Sequence, residues 1–132
     1  MSRYMLDTNV CIALLRGTSR IAAEHLGQCD PDDVVLSAIT LAELEFGAVK
    51  SRQPDRNFQA LIDFCAALAV LPFDEFAAAT YGTLRAELER SGRPIGPLDT
   101  LIAAHALALG LTLVTDNQRE FTRVKGLHVI HW

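Results

Sequence analysis

The sequence contains no apolar stretch long enough to cross a bilayer. A spanning helix needs about 20 consecutive apolar residues. The longest run here, Leu101–Val114, is shorter and carries His105 and Gly110. The first residues lack a basic segment followed by an apolar core and a small-residue cleavage site, so the expectation is a cytoplasmic protein. Cysteine is scarce. Cys11, Cys29 and Cys65 are three widely separated residues. An odd count without paired spacing argues against a disulfide framework and a cysteine-rich zinc site, and points to buried free thiols. No His-x-x-x-His or Cys-x-x-Cys pattern occurs, and the four histidines are scattered. Excess positive charge is also missing, since the net charge is −4. A nucleic-acid partner would therefore require local basic patches or bound cations to reverse the field. There is no internal repeat and no low-complexity tail.

What the sequence does have is apolar content: half of its 132 residues, enough for one domain, residues 1–132. A chain of this size buries roughly two-thirds of its unfolded surface. Short apolar runs at Tyr4–Leu6, Val34–Ser37, Ala69–Leu71, Leu111–Val114 and His128–Ile130 read as strands buried on both faces. Helical patterns fall between them, at Asn9–Leu15, Ser19–Gly27, Ala38–Lys50, Arg56–Leu68, Asp74–Arg90 and Leu98–Leu109. Strands alternating with helices predict an α/β fold with a parallel sheet covered on both faces. The segment "SGRPIGPL", Ser91–Leu98, is the clearest loop, and Pro97 suits the first position of the following helix.

Four carboxylates stand out on this frame. Asp7 follows the first strand in "LDTN", and Asp116 follows the fourth in "VTDN". In parallel sheets that carboxyl edge is where ligands bind. Glu43 and Asp99 lie near the starts of their helices, which begin at the same edge. Each acid taken singly has a plainer explanation. Asp7 or Asn9 caps the first helix, Thr40 with Glu43 and Asn117 with Glu120 have capping-box spacing, and Asp99 suits a helix dipole. Capping does not explain four acids at one edge. Clustered carboxylates repel one another and raise one another's pKa, and a divalent cation relieves that repulsion. All-oxygen ligands suit Mg²⁺ or Mn²⁺ rather than zinc. His105 lies six residues after Asp99, about 240° round a helix, which predicts a core histidine rather than a ligand. Mg²⁺ on carboxylates activates water and neutralises phosphate charge, so phosphodiester hydrolysis is the expected chemistry.

Four segments, "MLDTNV", "TLAELEFG", "GPLDTLIAAHAL" and "LVTDNQREF", together resemble the PIN-domain ribonucleases, most of all the VapC-type toxins of bacterial toxin–antitoxin operons. The resemblance runs from Met5 to Trp132. It implies a PIN-like fold with a five-stranded parallel sheet flanked by helices on both faces. It implies Asp7, Glu43, Asp99 and Asp116 as catalytic acids, with Asp7, Asp99 and Asp116 as metal ligands. Thr115 and Asn9 are implied as accessory polar residues. It further implies an Mg²⁺-dependent endoribonuclease (Mn²⁺ substituting) that is a homodimer, inhibits translation, and is blocked in a higher-order complex by a cognate antitoxin. The C-terminal third is similar to the subgroup that cuts initiator tRNA in its anticodon loop. One departure is that the last acid sits in "TDN", where some relatives have Asn.

Basic residues are local. Arg93 and Arg119 lie near the acid edge in sequence and are the candidate RNA contacts. The seam Tyr81, Leu84 and Leu88 reads as core or as a partner surface, with Phe46 and Phe64 as further surface candidates. Two other functions stay open. An aspartate-nucleophile phosphatase would need a second Asp at Asn9, where the general acid is missing. A non-catalytic PIN-fold binding module would be supported by loss of acids, yet all four are present.

Overall fold

The computed structural model describes residues 2–132; Met1, part of the single expected domain, lies outside the described residues. Five parallel strands form one sheet: β1 (Tyr4–Leu6), β2 (Val34–Ser37), β3 (Ala69–Leu71), β4 (Thr112–Val114) and β5 (Val129–Ile130). Their order across the sheet is β3-β2-β1-β4-β5. The order reverses between β1 and β4, which pair in register with Leu6 opposite Val114. A crevice opens beyond the carboxyl ends of strands at such a reversal.

Among the described residues seven helices cover the sheet: α1 (Thr8–Arg16), α2 (Arg20–Gln28), α3 (Ala38–Lys50), α4 (Pro54–Ala66), α5 (Glu75–Arg90), α6 (Pro97–Leu109) and α7 (Gln118–Phe121). Strand side chains alternate between faces. Met5, Val35 and Leu113 pack with Leu84, Leu88 and Ile102 on the α5–α6 side. Leu6, Val34, Leu36 and Val114 pack with Val10, Leu44 and Leu61 on the α1–α3–α4 side. Each large side chain so buried contributes about 1.5–3 kcal/mol relative to exposure. Leu84 and Leu88 are thus core, and Tyr81 is half-buried against the same cluster. Phe64 is half-buried, while Phe46 is 66% exposed.

Several boundaries differ from the predicted ones for local reasons. The fourth helix starts at Pro54, not Arg56, because proline fits the first helical position. It ends at Ala66, so Leu68 belongs to the buried approach to β3. The 3-10 turn Pro31–Asp33 and the short α7 carry too few residues to show a helical period. Cys11 is buried as expected, but Cys29 and Cys65 are only half-buried. Both α1 and α6 stop at a left-handed glycine, Gly17 (φ 67°) and Gly110 (φ 66°), a conformation glycine adopts at no steric cost.

Candidate active site

Strand β1 delivers Asp7 directly to the N-terminus of α1, where it is 2% exposed. Both carboxylate oxygens are occupied. Oδ1 accepts from the Thr8 backbone N–H at 2.8 Å, and Oδ2 accepts from the Thr115 hydroxyl at 2.7 Å. Burial pushes the Asp7 pKa up, the Thr115 and Thr8 bonds oppose it, and the charges of Glu43 and Asp116 add to the rise. Asp7 is itself the helix cap; Asn9, weighed beside it for that role, is exposed in the first turn. Asp7 caps because its backbone is extended while the next residue is helical, the geometry an N-cap requires.

Glu43 comes from α3. The Thr8 hydroxyl donates to its Oε1 at 2.8 Å, which ties α3 to the first turn of α1. The Thr8 and Thr40 hydroxyls lie 3.3 Å apart, and Thr40 is fully buried. Thr40 does not cap α3. That role falls to Ser37, whose Oγ accepts from the Ile39 N–H at 3.1 Å, so the Thr40–Glu43 spacing is not a capping box.

Asp99 occupies the first turn of α6, after the proline that starts it. Its pKa is raised to about 6. Burial is the largest cause, followed by the charges of Asp7, Glu120 and Glu43, and by a side-chain hydrogen bond with Glu120. A carboxyl–carboxyl hydrogen bond exists only while one of the two groups is protonated, so it favours the protonated form of Asp99.

Asp116 is placed differently from the other three. It is exposed, and its Oδ1 meets His131 Nε2 at 3.0 Å. Its charge still acts on Asp7. Thr115, one residue earlier, is fully buried; besides donating to Asp7 it accepts from the Asn117 N–H at 3.0 Å. Asn117 and Glu120 are joined through Nδ2 and Oε2 at 2.9 Å, and Asn117 makes no side-chain cap bond. Arg93 and Arg119 are both exposed.

The structure therefore brings Glu43, Asp99 and Asp116 each within electrostatic reach of Asp7, and sets a fifth acid, Glu120, beside Asp99. Sequence reasoning read Glu120 only as half of a capping box. The available signal was its position in "DNQRE", one helical turn beyond Asp116. Thr8 was missed as well, although it follows Asp7 directly. Among the described residues no three His, Cys, Asp or Glu side chains converge closely enough to grasp an ion as they stand. Their donor set is nonetheless all oxygen, and their mutual repulsion is of the kind a hard divalent cation relieves.

Residues 4–127 match the PIN domain family model. The chain is 42% identical over 132 residues to the tRNA(fMet)-specific endonuclease VapC of Shigella flexneri, covering 100% of this chain and 99% of that protein. It superposes with a TM-score of 0.96 on a chain of DNA-bound VapBC from Salmonella typhimurium, at 42% identity, covering 100% of this chain and 99% of that one. A member of the VapBC family of toxin–antitoxin systems from Mycobacterium tuberculosis superposes with a TM-score of 0.74 at 29% identity, covering both chains completely.

Proposed function

This chain belongs to the PIN-domain family, and from that premise we propose that it is the endoribonuclease toxin of a toxin–antitoxin pair. Its proposed substrate is initiator tRNA, cut in the anticodon loop, and its proposed metal is Mg²⁺, with Mn²⁺ able to replace it. The single observation that carries the catalytic reading is Asp99. Its pKa is raised to about 6 by burial and by three other carboxylates, from the β1–α1 junction, α3 and α7. Such a gathering of carboxylates gives the fold no stability at neutral pH, and a ligand that relieves their repulsion is the role this reading assigns to it. Catalysis by Asp7, Glu43, Asp99 and Asp116 is part of this reading, with Asp7, Asp99 and Asp116 as metal ligands and Glu120 as a further acid.

When bound, the metal supplies a nucleophilic water and neutralises charge on the phosphate. The chain's own residues hold the site ready for it. Thr115 and the Thr8 N–H fix both oxygens of Asp7, so that its carboxylate does not reorient as charge develops. Thr8 holds Glu43 from the side. Asp99 ionises near pH 6, so at neutral pH its carboxylate would be available to hold a cation beside Asp7 and Glu43. Arg93 and Arg119, exposed near the carboxyl edge, are the proposed contacts to RNA phosphates.

The proposed antitoxin meets the apolar groove between α1, α3 and α4. That groove of about 190 Å³ is lined by Ile12, Leu15, Leu44 and Leu61 and reaches Glu43. Phe46 and Val49 stand exposed on α3. An occupant there would sit against the acid cluster, which accounts for inhibition. A homodimer that enters a larger complex with the antitoxin is part of the same proposal. No helix among the described residues is long and apolar enough to cross a membrane, and the proposed place of action is the cytoplasm, where tRNA is.

The test is cleavage of purified tRNA by antitoxin-free protein. Cleavage with Mg²⁺ or Mn²⁺, lost in chelator and in both Asp7→Ala and Asp99→Ala, is the expected result. Absence of cleavage of any RNA with either metal would instead favour a non-catalytic binding module.

A further inference from the structure

A second polar unit lies away from the acids, inside the core. His105 on α6 is 2% exposed, and its Nδ1 is 2.8 Å from Ser37 Oγ, 68 positions away in the chain. Ser37 is fully buried and caps α3, its Oγ accepting from the Ile39 N–H. No other acceptor for the Ser37 hydroxyl occurs among the described residues, so its proton is donated to Nδ1. The ring proton is then on Nε2. Pro72 has only a carbonyl to offer, and it accepts a hydrogen bond from the ring. Phe73 closes the unit with an edge contact, ring centroids 5.3 Å apart. One neutral imidazole therefore joins α6, the β2–α3 junction and the β3–α5 junction.

We propose that His105 is a positioning residue of the nuclease, a buried strut through Ser37 that fixes α6 relative to α3 and thereby sets Asp99 against Glu43. This rests on the functional reading above. Each acid stands six residues along its helix from the strut, about 9 Å of helix axis. Helices are stiff over that length, so a shift at the strut is carried to the acids. An apolar residue at position 105 would fill the space without fixing a register. A bonded polar pair specifies one arrangement, because sliding would leave buried donors and acceptors unpaired.

Two isosteres separate the two bonds. Asparagine places its amide near the position of Nδ1, and glutamine places its amide near that of Nε2. His105→Asn keeps the Ser37 bond and loses Pro72; His105→Gln does the reverse. Both lose one hydrogen bond, so melting temperatures should fall comparably. Mn²⁺ affinity by titration calorimetry should drop about 10-fold in His105→Gln and stay within about threefold in His105→Asn, the scale seen when partners that orient ligands are altered. Cleavage by the full chain should show the same split in kcat, with KM unchanged. Parallel loss in both variants, or loss in neither, would overturn the proposal. If both variants fail to fold, the ring nitrogen shifts of His105 in the unaltered protein decide. A protonated Nε2 and a bare Nδ1 are expected, and the opposite tautomer would sink the strut. Failure of the unaltered protein to cleave RNA or to bind Mn²⁺ would count against the nuclease reading, whereas the nitrogen-shift and melting readouts address the strut alone.

Discussion

Two strand ends with similar sequences are built to opposite effect. "LDTN" and "VTDN" each place an acid and an asparagine just after a strand, yet Asp7 is buried with both oxygens bonded, and Asp116 is exposed beside His131. The β1–β4 register supplies the reason. Leu6 pairs with Val114, so the residue opposite Asp7 is Thr115, not Asp116. The acid of "VTDN" sits one position too late to share the crevice on equal terms. Its threonine takes the inner place and donates to Asp7. Similar composition at two strand ends therefore fixes chemistry only together with the register that aligns them.

The sharpest way to break this comparison is to neutralise each acid in turn. Asp7→Asn should lower the cleavage rate by about 100- to 1,000-fold, the scale for removing a preorganised charged group from an active site. Asp116→Asn should cost less than about 10-fold on the same assay. Equal losses would show that register does not rank the two acids. Asp7→Asn should still fold, since its side-chain oxygen can accept from the Thr8 N–H; unfolding would return Asp7 to a purely structural role.

Next in size is the inner hydroxyl. Thr115→Val removes the donor to a buried carboxylate and should cost about 2 kcal/mol in denaturant unfolding. Asp116→Ala, on the exposed side of the same strand end, should stay within about 0.5 kcal/mol. A large effect of Asp116→Ala would mean that the His131 contact matters more than its exposure allows.

The acid cluster also makes a pH prediction for the metal-free protein. Asp99 titrates at 3.8 when unperturbed and at about 6 in the fold. Between those values the folded chain binds more protons than the unfolded chain, so stability falls as pH rises through that window and levels off above it. Asp7 is shifted in the same direction and adds to the slope. Melting curves in chelator should show this decline, and Asp99→Asn should flatten it. A profile that rises with pH across the window would contradict the cluster. The smallest effect is expected for Asn9→Ala, within about 0.5 kcal/mol and about twofold in cleavage, because Asn9 is exposed and Asp7 holds the cap.

Much of this molecule was legible before its structure. The strands at Tyr4–Leu6, Val34–Ser37 and Ala69–Leu71 and the helix Ala38–Lys50 lie where the apolar pattern predicts them. Short apolar runs and period-3.6 burial are local properties, readable in a short window. The caps were less legible. Ser37, not Thr40, starts α3, and Asp7, not Asn9, starts α1, because several adjacent residues suit a cap and packing chooses among them. Glu120 was harder still, since its bond to Asp99 joins two segments that no local pattern relates.

The sequence by itself determined the alternation of strands and helices, the family resemblance, and the presence of acids after strands and near helix starts. Only the tertiary structure decided which oxygens are held and by whom. Thr115 reaches Asp7 across 108 positions, and Ser37 reaches His105 across 68. Such pairs depend on strand register and helix packing, which arise from long-range burial. Residue type alone sets what a group can bond to, and the fold sets which partner is there.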